Sequence, residues 1–245
     1  MLKAFSITEI GRKRQLNEDA VYASQEPVGD FPNLFIVADG MGGHKAGDHA
    51  SRETVEIMLE TISNKSVTDP KEAFREALKT ANRKVHQDAR RSVELEGMGT
   101  TAVACTIDGD KMTAVNVGDS RLYLINEKTG IRQITVDHSL VEEMVKEGLL
   151  TREDARNHPK KNIITRAVGV MADVEPDFFE VILEKGDRVL LCSDGLSNML
   201  EDEELGIIVN SVGSLEEKAK MLVDAANGNG GRDNISVILI DPFEK

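Results

Sequence analysis

Acidic residues stand at the ends of several apolar segments in this chain of 245 residues. Carboxylates in such places can converge on one edge of a sheet from distant parts of the chain. Mg²⁺ and Mn²⁺ prefer an all-oxygen shell of this kind, completed by water. A single Asp-Gly pair also forms a turn without any function, but the repeated placement predicts a divalent metal site. The acids are Glu18, Asp19, Asp39, Asp119, Asp194 and Asp233.

Other chemistries that involve metals or phosphate fit the sequence poorly. Neither cysteine has a Cys or His at zinc-ligand spacing. His44 and His49 are five residues apart, which is not the helical spacing at which two histidines usually share a zinc ion. The glycine-rich segment 40–47 matches neither the P-loop nor the dinucleotide-binding template. The chain has no cysteine-phosphatase loop and no Gly-x-Ser-x-Gly nucleophile elbow. Water activated by a metal therefore remains as the nucleophile.

The elements that position these acids are predicted from the hydrophobic pattern. Short β-branched and apolar runs indicate buried strands, and Gly109-Asp110 indicates a hairpin turn between two of them. Apolar residues at helical spacing predict four helices, the second of which starts with Asp69 as N-cap and Pro70 at the first position. The predicted strands are 34–38, 101–107, 112–117, 121–125, 188–192 and 235–240, with a further short one at 20–22, and the helices lie around 55–62, 73–85, 203–209 and 215–226.

The order of these elements favours an α+β class. Two helices follow the early strands, then come a group of strands, a second pair of helices and a last strand, without βαβ alternation. Residues 137–170 are polar and locally helical, which is typical of a short insertion and not of a separate domain.

Composition excludes several classes of partner. The formal net charge of −13 makes nucleic acid or an anionic membrane an unsuitable partner. The longest apolar run, 34–38, is far shorter than a bilayer span, and the N-terminus has no signal-peptide core. Two cysteines within apolar runs predict buried, reduced thiols. We therefore expect a cytoplasmic protein without a membrane segment.

Six motifs in a fixed order carry a family resemblance. Together they resemble bacterial members of the metal-dependent serine/threonine protein phosphatases, the type 2C family, from Ile10 to about Ile240. The motifs are RQLNED at 14–19, VADGMGG at 37–43, GTT at 99–101, VGDSR at 117–121, SDGL at 193–196 and RDNIS at 232–236.

The resemblance implies an architecture that the element pattern alone does not reach. It implies one domain over 1–245, built as a four-layer α-β-β-α sandwich of two antiparallel sheets flanked by helix pairs. The metal centre would lie in a cleft at one end of the sandwich. The insertion at about 137–170 would be the small flap beside that cleft.

The resemblance also implies roles for individual residues. Asp39 would bridge two ions, either Mn²⁺ or Mg²⁺, with the Gly40 carbonyl reaching one of them and Asp194 and Asp233 binding the other. Glu18 and Asp19 would hold metal waters, or in part bind directly. Asp119 would bind a third, weaker ion together with Asp194. Arg14 would hold the substrate phosphate through its planar guanidinium, although within the cluster 12–14 it could equally be a solvated surface cation.

The implied reaction is hydrolysis of phosphoserine and phosphothreonine in proteins by a water activated between the two ions. Many eukaryotic members have a His after the Asp-Gly pair to protonate the leaving oxygen. Met41 occupies that position here and cannot donate a proton. Water is our preferred donor, and His44 is the alternative.

The same resemblance bears on how substrate is bound and on which other functions compete with the phosphatase. The flap is rich in basic residues, which would either meet the phosphorylated substrate or be solvated. Two rival functions are a two-metal phosphodiesterase, which the acidic charge disfavours, and a degenerate phosphoprotein-binding module, which the complete set of carboxylates disfavours.

The expected partners are phosphorylated proteins, including a cognate Ser/Thr kinase whose action the enzyme reverses, and the expected state is a monomer. The basic flap residues are Lys146, Arg152, Arg156, His158, Lys160, Lys161 and Arg166.

Overall fold

The computed structural model describes residues 2–42, 46–64 and 66–244. The described strands are β1 (Lys3–Glu9), β2 (Asp19–Ser24), β3 (Leu34–Met41), β4 (Gly99–Thr100), β5 (Ala102–Asp108), β6 (Lys111–Val117), β7 (Arg121–Asn126), β8 (Gly130–Gln133), β9 (Asp177–Ile182), β10 (Arg188–Cys192) and β11 (Ile235–Asp241). The helices are α1 (Ala46–Asn64), α2 (Pro70–Arg91), α3 (Leu140–Lys146), α4 (Arg152–Asn157), α5 (Asp194–Ser197), α6 (Asp202–Asn210) and α7 (Leu215–Gly228), with a short 3₁₀ helix at Val93–Leu95.

The strands form two sheets that pack face to face. One sheet has the order β1-β11-β10-β7-β8 and the other β2-β3-β5-β6-β9, with β4 paired to β3. Neighbouring strands in both sheets are antiparallel. Because side chains alternate along a strand, Phe35 and Val37 of β3 enter the core between the sheets, together with Val189 and Leu191 of β10.

The opposite faces of the two sheets are covered by helices. Leu34 and Ile36 of β3 pack in a second core with residues of α1 and α2. Leu190 and Cys192 of β10 pack in a third core with residues of α6 and α7. Three cores separate four layers, which confirms the predicted α-β-β-α sandwich of the α+β class.

Most of the elements predicted from the sequence are confirmed. The run at 188–192 coincides with β10, and the other predicted strands lie within or overlap β2, β3, β5, β6, β7 and β11. Asp69 caps α2 by accepting a hydrogen bond from the Lys71 backbone N–H, with Pro70 in the first turn. Gly109, with φ of 62°, turns the chain between β5 and β6 as predicted. Both cysteines are buried and unpaired.

Four strands were not predicted, namely β1, β4, β8 and β9. Strand β4 has only two residues, Gly99 and Thr100, and is too short to leave an apolar pattern. Strands β1, β8 and β9 are each an edge strand of their sheet and present mostly half-buried or exposed residues. An edge strand has one paired side only, so it lacks the continuous apolar run that signals a central strand. The flap contains the short helices α3 and α4, in agreement with its expected helical character. None of the described helices is long and apolar enough to cross a membrane.

Candidate active site

The predicted acids come together at one end of the sandwich because strand pairing places them there. Asp19, the first residue of β2, lies opposite Asp39 of β3 in the antiparallel register. In the other sheet, Asp194 begins α5 two residues after β10 ends, and Asp233 lies two residues before β11, the strand paired with β10. Asp119 lies in the turn that joins β6 to β7. Both sheets therefore contribute carboxylates to one cluster.

The cluster concentrates negative charge in a buried place. Burial raises the pKa of Asp39 well above its usual range, and the nearby charges of Asp19, Asp194, Asp119 and Asp233 raise it further. Burial likewise raises the pKa of Asp19 to about 7 and that of Asp194 to about 6. Each of these pKa values rises because the ionised form is poorly solvated and repelled. A site of this kind favours the binding of cations.

The hydrogen bonds of Asp19 show which of its oxygens is available for a ligand. Oδ2 accepts hydrogen bonds from the Ser193 hydroxyl at 2.8 Å and from the Ser236 hydroxyl at 2.6 Å. Oδ1 is buried and has no hydrogen-bond partner in the described part of the chain. A buried oxygen without a partner is costly unless something binds it. An ion, or water held by an ion, fits this oxygen.

Ser193 and Ser236 are functional candidates that sequence reasoning missed. Ser193 directly precedes Asp194, and Ser236 follows Asp233 by three residues, so both lay inside motifs that drew attention to their carboxylates alone. A hydroxyl beside a carboxylate has no signal of its own in the sequence, because its partner is set by the fold.

Asp119 has the same character as Asp19. It is 7% exposed, and its Oδ1 atom is buried without a hydrogen-bond partner among the described residues. Burial, followed by the Asp194 charge, raises the pKa of Asp119 well above its usual range. The positive charge of Arg121 lowers the pKa of Asp119 in part. The Arg121 guanidinium itself is hydrogen-bonded to both oxygens of Asp137 at 2.7–3.0 Å.

The carboxylates do not form a complete metal shell by themselves. No group of three or more His, Cys, Asp or Glu side chains among the described residues is arranged to hold an ion unaided. Mg²⁺ and similar hard ions are usually bound through one or two carboxylates and several waters. The residues present fit such a water-rich site, with the Gly40 carbonyl as a further oxygen.

Gly40 is required by its surroundings. A Cβ at this position would overlap the carbonyl oxygen of Gly47 and would approach that of Glu18 to 2.5 Å. The Gly40 N–H donates to the same Glu18 carbonyl at 3.1 Å. The end of β3 is therefore packed tightly against the segment before β2. His44, the alternative proton donor, lies outside the described residues.

Arg14 lies beside the cluster and remains accessible. Its Nη2 atom donates to Asp233 Oδ2 at 2.7 Å, and its Nη1 atom is 3.5 Å from Glu18 Oε2. The side chain is 45% exposed. A guanidinium has five N–H donors, so donors remain for a phosphate group. The side chain is therefore solvent-exposed, as the alternative of a solvated surface cation requires, and is also paired with two acids of the candidate site.

Asn234 fastens the Arg14 loop to the base of β11, and sequence reasoning assigned it no role. Its side-chain Nδ2 donates to the carbonyl oxygens of Ile10 at 2.9 Å and Leu16 at 3.0 Å. Its Oδ1 accepts the Glu18 backbone N–H at 2.9 Å. The residue is 3% exposed. One amide therefore fixes both ends of the loop that carries Arg14.

The flap forms a cavity of about 750 Å³ with α5 and α6, and this cavity reaches Asp119 and Asp194. Several of the basic flap residues are already paired within the protein. Arg152 pairs with Glu142, Arg156 with Glu201, and Arg166 with Asp177. These ion pairs therefore offset part of the positive charge of the flap side chains.

Comparisons with known proteins agree with this geometry. The family model for protein phosphatase 2C matches residues 9–235. The chain is 42% identical over 240 residues to the serine/threonine phosphatase stp of Listeria welshimeri, covering 96% of this chain and 93% of that one.

Two solved structures are also similar. That of serine/threonine phosphatase Stp1 from Staphylococcus aureus has a TM-score of 0.92 and 34% identity, covering 100% of this chain and 96% of that one. That of the catalytic domain of PstP, in complex with two manganese ions, has a TM-score of 0.86 and 33% identity, covering 98% of this chain and 97% of that one.

Proposed function

This chain belongs to the protein phosphatase 2C family and is a protein serine/threonine phosphatase, and we propose that it works with two divalent ions held by the carboxylate cluster. The observation that carries the proposal is the convergence of Asp39, Asp194 and Asp233 from separate segments on one partly buried place. The unpartnered buried oxygens of Asp19 and Asp119 support it. Manganese accompanies a similar fold in the PstP catalytic domain. Mn²⁺ or Mg²⁺ is therefore the proposed cofactor.

The proposed ligands divide between the two sheets. Asp39 would bridge the ions, with the Gly40 carbonyl on one side and Asp194 and Asp233 on the other. Glu18 and Asp19 would hold water in the shell. The Ser193 and Ser236 hydroxyls would keep Asp19 ionised, since their hydrogen bonds lower its pKa against the effect of burial. Asp119 and Asp194 would take a third, weaker ion.

When bound, the ions would lower the pKa of a water and offset the charge that develops on phosphorus. The chain's own residues bind and orient the substrate. Arg14 would turn its free N–H groups to two phosphate oxygens, while its contact with Asp233 keeps the guanidinium plane fixed. Asp19 is buried and Asp39 is half-buried. Met41 has no proton to give, so a water molecule would protonate the leaving seryl or threonyl oxygen.

The cellular setting is proposed from the charge of the chain and from its family. The enzyme would act as a cytoplasmic monomer in signalling, on phosphorylated proteins that include a cognate Ser/Thr kinase. The net charge of −13 supports a lack of affinity for nucleic acid and for anionic membranes.

The test is hydrolysis of p-nitrophenyl phosphate and a phosphothreonine peptide with Mn²⁺, with Mg²⁺ and with EDTA. We expect activity with either metal and none with EDTA. Asp39→Asn should lower kcat at least about 10³-fold, since it removes a group acting on the transition state. Asp224→Asn, on the exposed face of α7, is the matched control and should retain full activity. Normal activity in Asp39→Asn would refute the proposal.

A further inference from the structure

A second cavity lies next to the candidate active site and is lined by both apolar and polar groups. It has a volume of about 550 Å³, and its lining includes Met41, Ile164, Val170, Met171 and Val174. Met41 and Asp39 are two residues apart on β3, so their side chains leave the same face of the strand. The backbones of the two residues are about 7 Å apart along the strand, so the cavity wall at Met41 adjoins the end of β3 that carries Asp39.

Gly99 joins the two walls of this cavity. It pairs with Met41 between β4 and β3. A Cβ on Gly99 would approach Cγ2 of Val170 to 2.7 Å and Cε of Met41 to 3.7 Å. Both apolar side chains therefore lie against the same glycine.

That segment exposes large apolar side chains in a short stretch of chain. Met171 is 67% exposed, Val170 is 46% exposed and Ile163 is 45% exposed. Single exposed apolar residues need no explanation, whereas a contiguous group beside a functional cleft is typical of a binding surface.

The backbone that presents these side chains is firmly held. The Asn82 Nδ2 atom donates to the carbonyl oxygens of Met171 at 3.0 Å and Ala172 at 3.1 Å, and its Oδ1 accepts the Gly169 N–H at 2.7 Å. Thr100 and Val168 exchange two backbone hydrogen bonds of 2.8–3.0 Å. The surface is thus organised before a ligand arrives, which lowers the entropic cost of binding.

Charge at the rim restricts the occupant. Asp173 and Glu175 line the cavity, and Arg166, the basic residue among the lining, is bound to Asp177 and to the Glu175 carbonyl. An acidic side chain would meet the like charge of Asp173 and Glu175 there, and the Nη1 atom of Arg166 is already bound to Asp177. An uncharged apolar side chain fits the lining and meets no such repulsion.

We propose that this cavity binds an apolar side chain of the phosphoprotein substrate, one or two positions from the phosphorylated residue. Residues of an extended chain are spaced by about 3.3 Å, so such a side chain spans the distance between cluster and cavity. The enzyme would then select substrates by an apolar neighbour such as leucine. This inference rests on the proposed function, because it takes the phosphate to be bound at Arg14 and the carboxylates.

The test uses phosphothreonine peptides that differ only at the two positions on each side, with Leu, Gly or Asp. For at least one position we expect kcat/KM for the Leu peptide to exceed that for the Gly peptide about fivefold or more, from partial burial of the side chain. The Asp peptide should be the poorest substrate.

Met171→Glu should bring the Leu-to-Gly ratio close to one. Because the ratio is taken within one variant, a general loss of activity does not affect it. Met221→Glu is the matched control, since Met221 is a methionine 45% exposed on α7, and it should keep the wild-type ratio. A wild-type ratio near one at every position, or an unchanged ratio in Met171→Glu, would overturn the inference.

The two proposals fail differently. If p-nitrophenyl phosphate were hydrolysed in the presence of EDTA or by Asp39→Asn, the metal site would be wrong whatever the peptide ratio. If metal-dependent hydrolysis were normal and the peptides were equivalent, the apolar cavity alone would be wrong.

Discussion

The hydrogen bonds of Asn234 allow a quantitative prediction for Asn234→Ala. The change removes bonds to the Glu18 N–H, which is buried, and to the carbonyls of Ile10 and Leu16, which are partly buried. A buried donor left without a partner costs about 1–3 kcal/mol, whereas each partly buried bond contributes about 1 kcal/mol net. The free energy of unfolding should therefore fall by about 4 kcal/mol.

Urea denaturation measures this loss, provided that the m-value stays constant. Asn229→Ala is the matched control, because its amide also donates to a backbone carbonyl, that of Met199 at 2.9 Å, but in an exposed place. The control should lose about 1 kcal/mol or less. A loss below about 1 kcal/mol in Asn234→Ala would show that the loop is held by other contacts and would refute the reasoning.

Kinetics separate positioning from stability in the same variant. Since Asn234 fixes the loop that carries Arg14, its loss should raise KM for a phosphothreonine peptide and weaken inhibition by inorganic phosphate, measured well below the unfolding temperature. A variant that is destabilised but binds phosphate normally would assign Asn234 to folding alone.

Three further predictions follow from individual contacts. Gly195→Ala should destabilise the protein by more than about 2 kcal/mol in urea denaturation, because its Cβ would overlap a backbone carbonyl. Gly228→Ala has open space around the new Cβ and should be neutral or stabilising by up to about 1 kcal/mol, so equal effects of the two changes would contradict the prediction. Burial lowers the pKa of His138 in the folded state, so its contribution to stability is complete above the unfolded pKa of about 6.5 and is lost as the pH falls below it. Urea denaturation from pH 7.5 to pH 5 should therefore show a shallower decline in His138→Gln than in wild type, and identical slopes would argue against it. Ser236→Ala should weaken Mn²⁺ binding about tenfold in calorimetry by removing a hydrogen bond to Asp19, and unaltered affinity would exclude that role.

The sequence predicts elements of the fold where both faces of a strand are buried. The run 34–38 contributes alternately to the core between the sheets and to the core under α1 and α2, and so it is apolar throughout. The edge strands β1, β8 and β9 depend on pairing with a neighbour and have no such run. The pattern also reveals which faces are buried but not what covers them, so the four-layer order required a resemblance to known proteins.

The same limit applies to the candidate site. Asp39, Asp194 and Asp233 are predicted because turn-forming acids stand beside apolar strands, and the strand register then determines that they meet. Ser236 and Asn234 act through contacts with residues more than 200 positions away in the chain. Local sequence does not encode a partner at that distance, and only the closed fold provides it.

The ion pairs made by the flap arginines change how substrate selection is best understood. A basic flap on an acidic protein first suggests recognition by charge. Arg152, Arg156 and Arg166 are bound to acids of the protein itself, so their charge is already offset. Arg14 is likewise paired with Asp233 and Glu18, but it lies beside the carboxylates and keeps N–H donors for phosphate, the feature that all substrates share. We infer that uncharged surface adds discrimination between substrates, and the exposed apolar side chains of segment 163–171 provide such a surface.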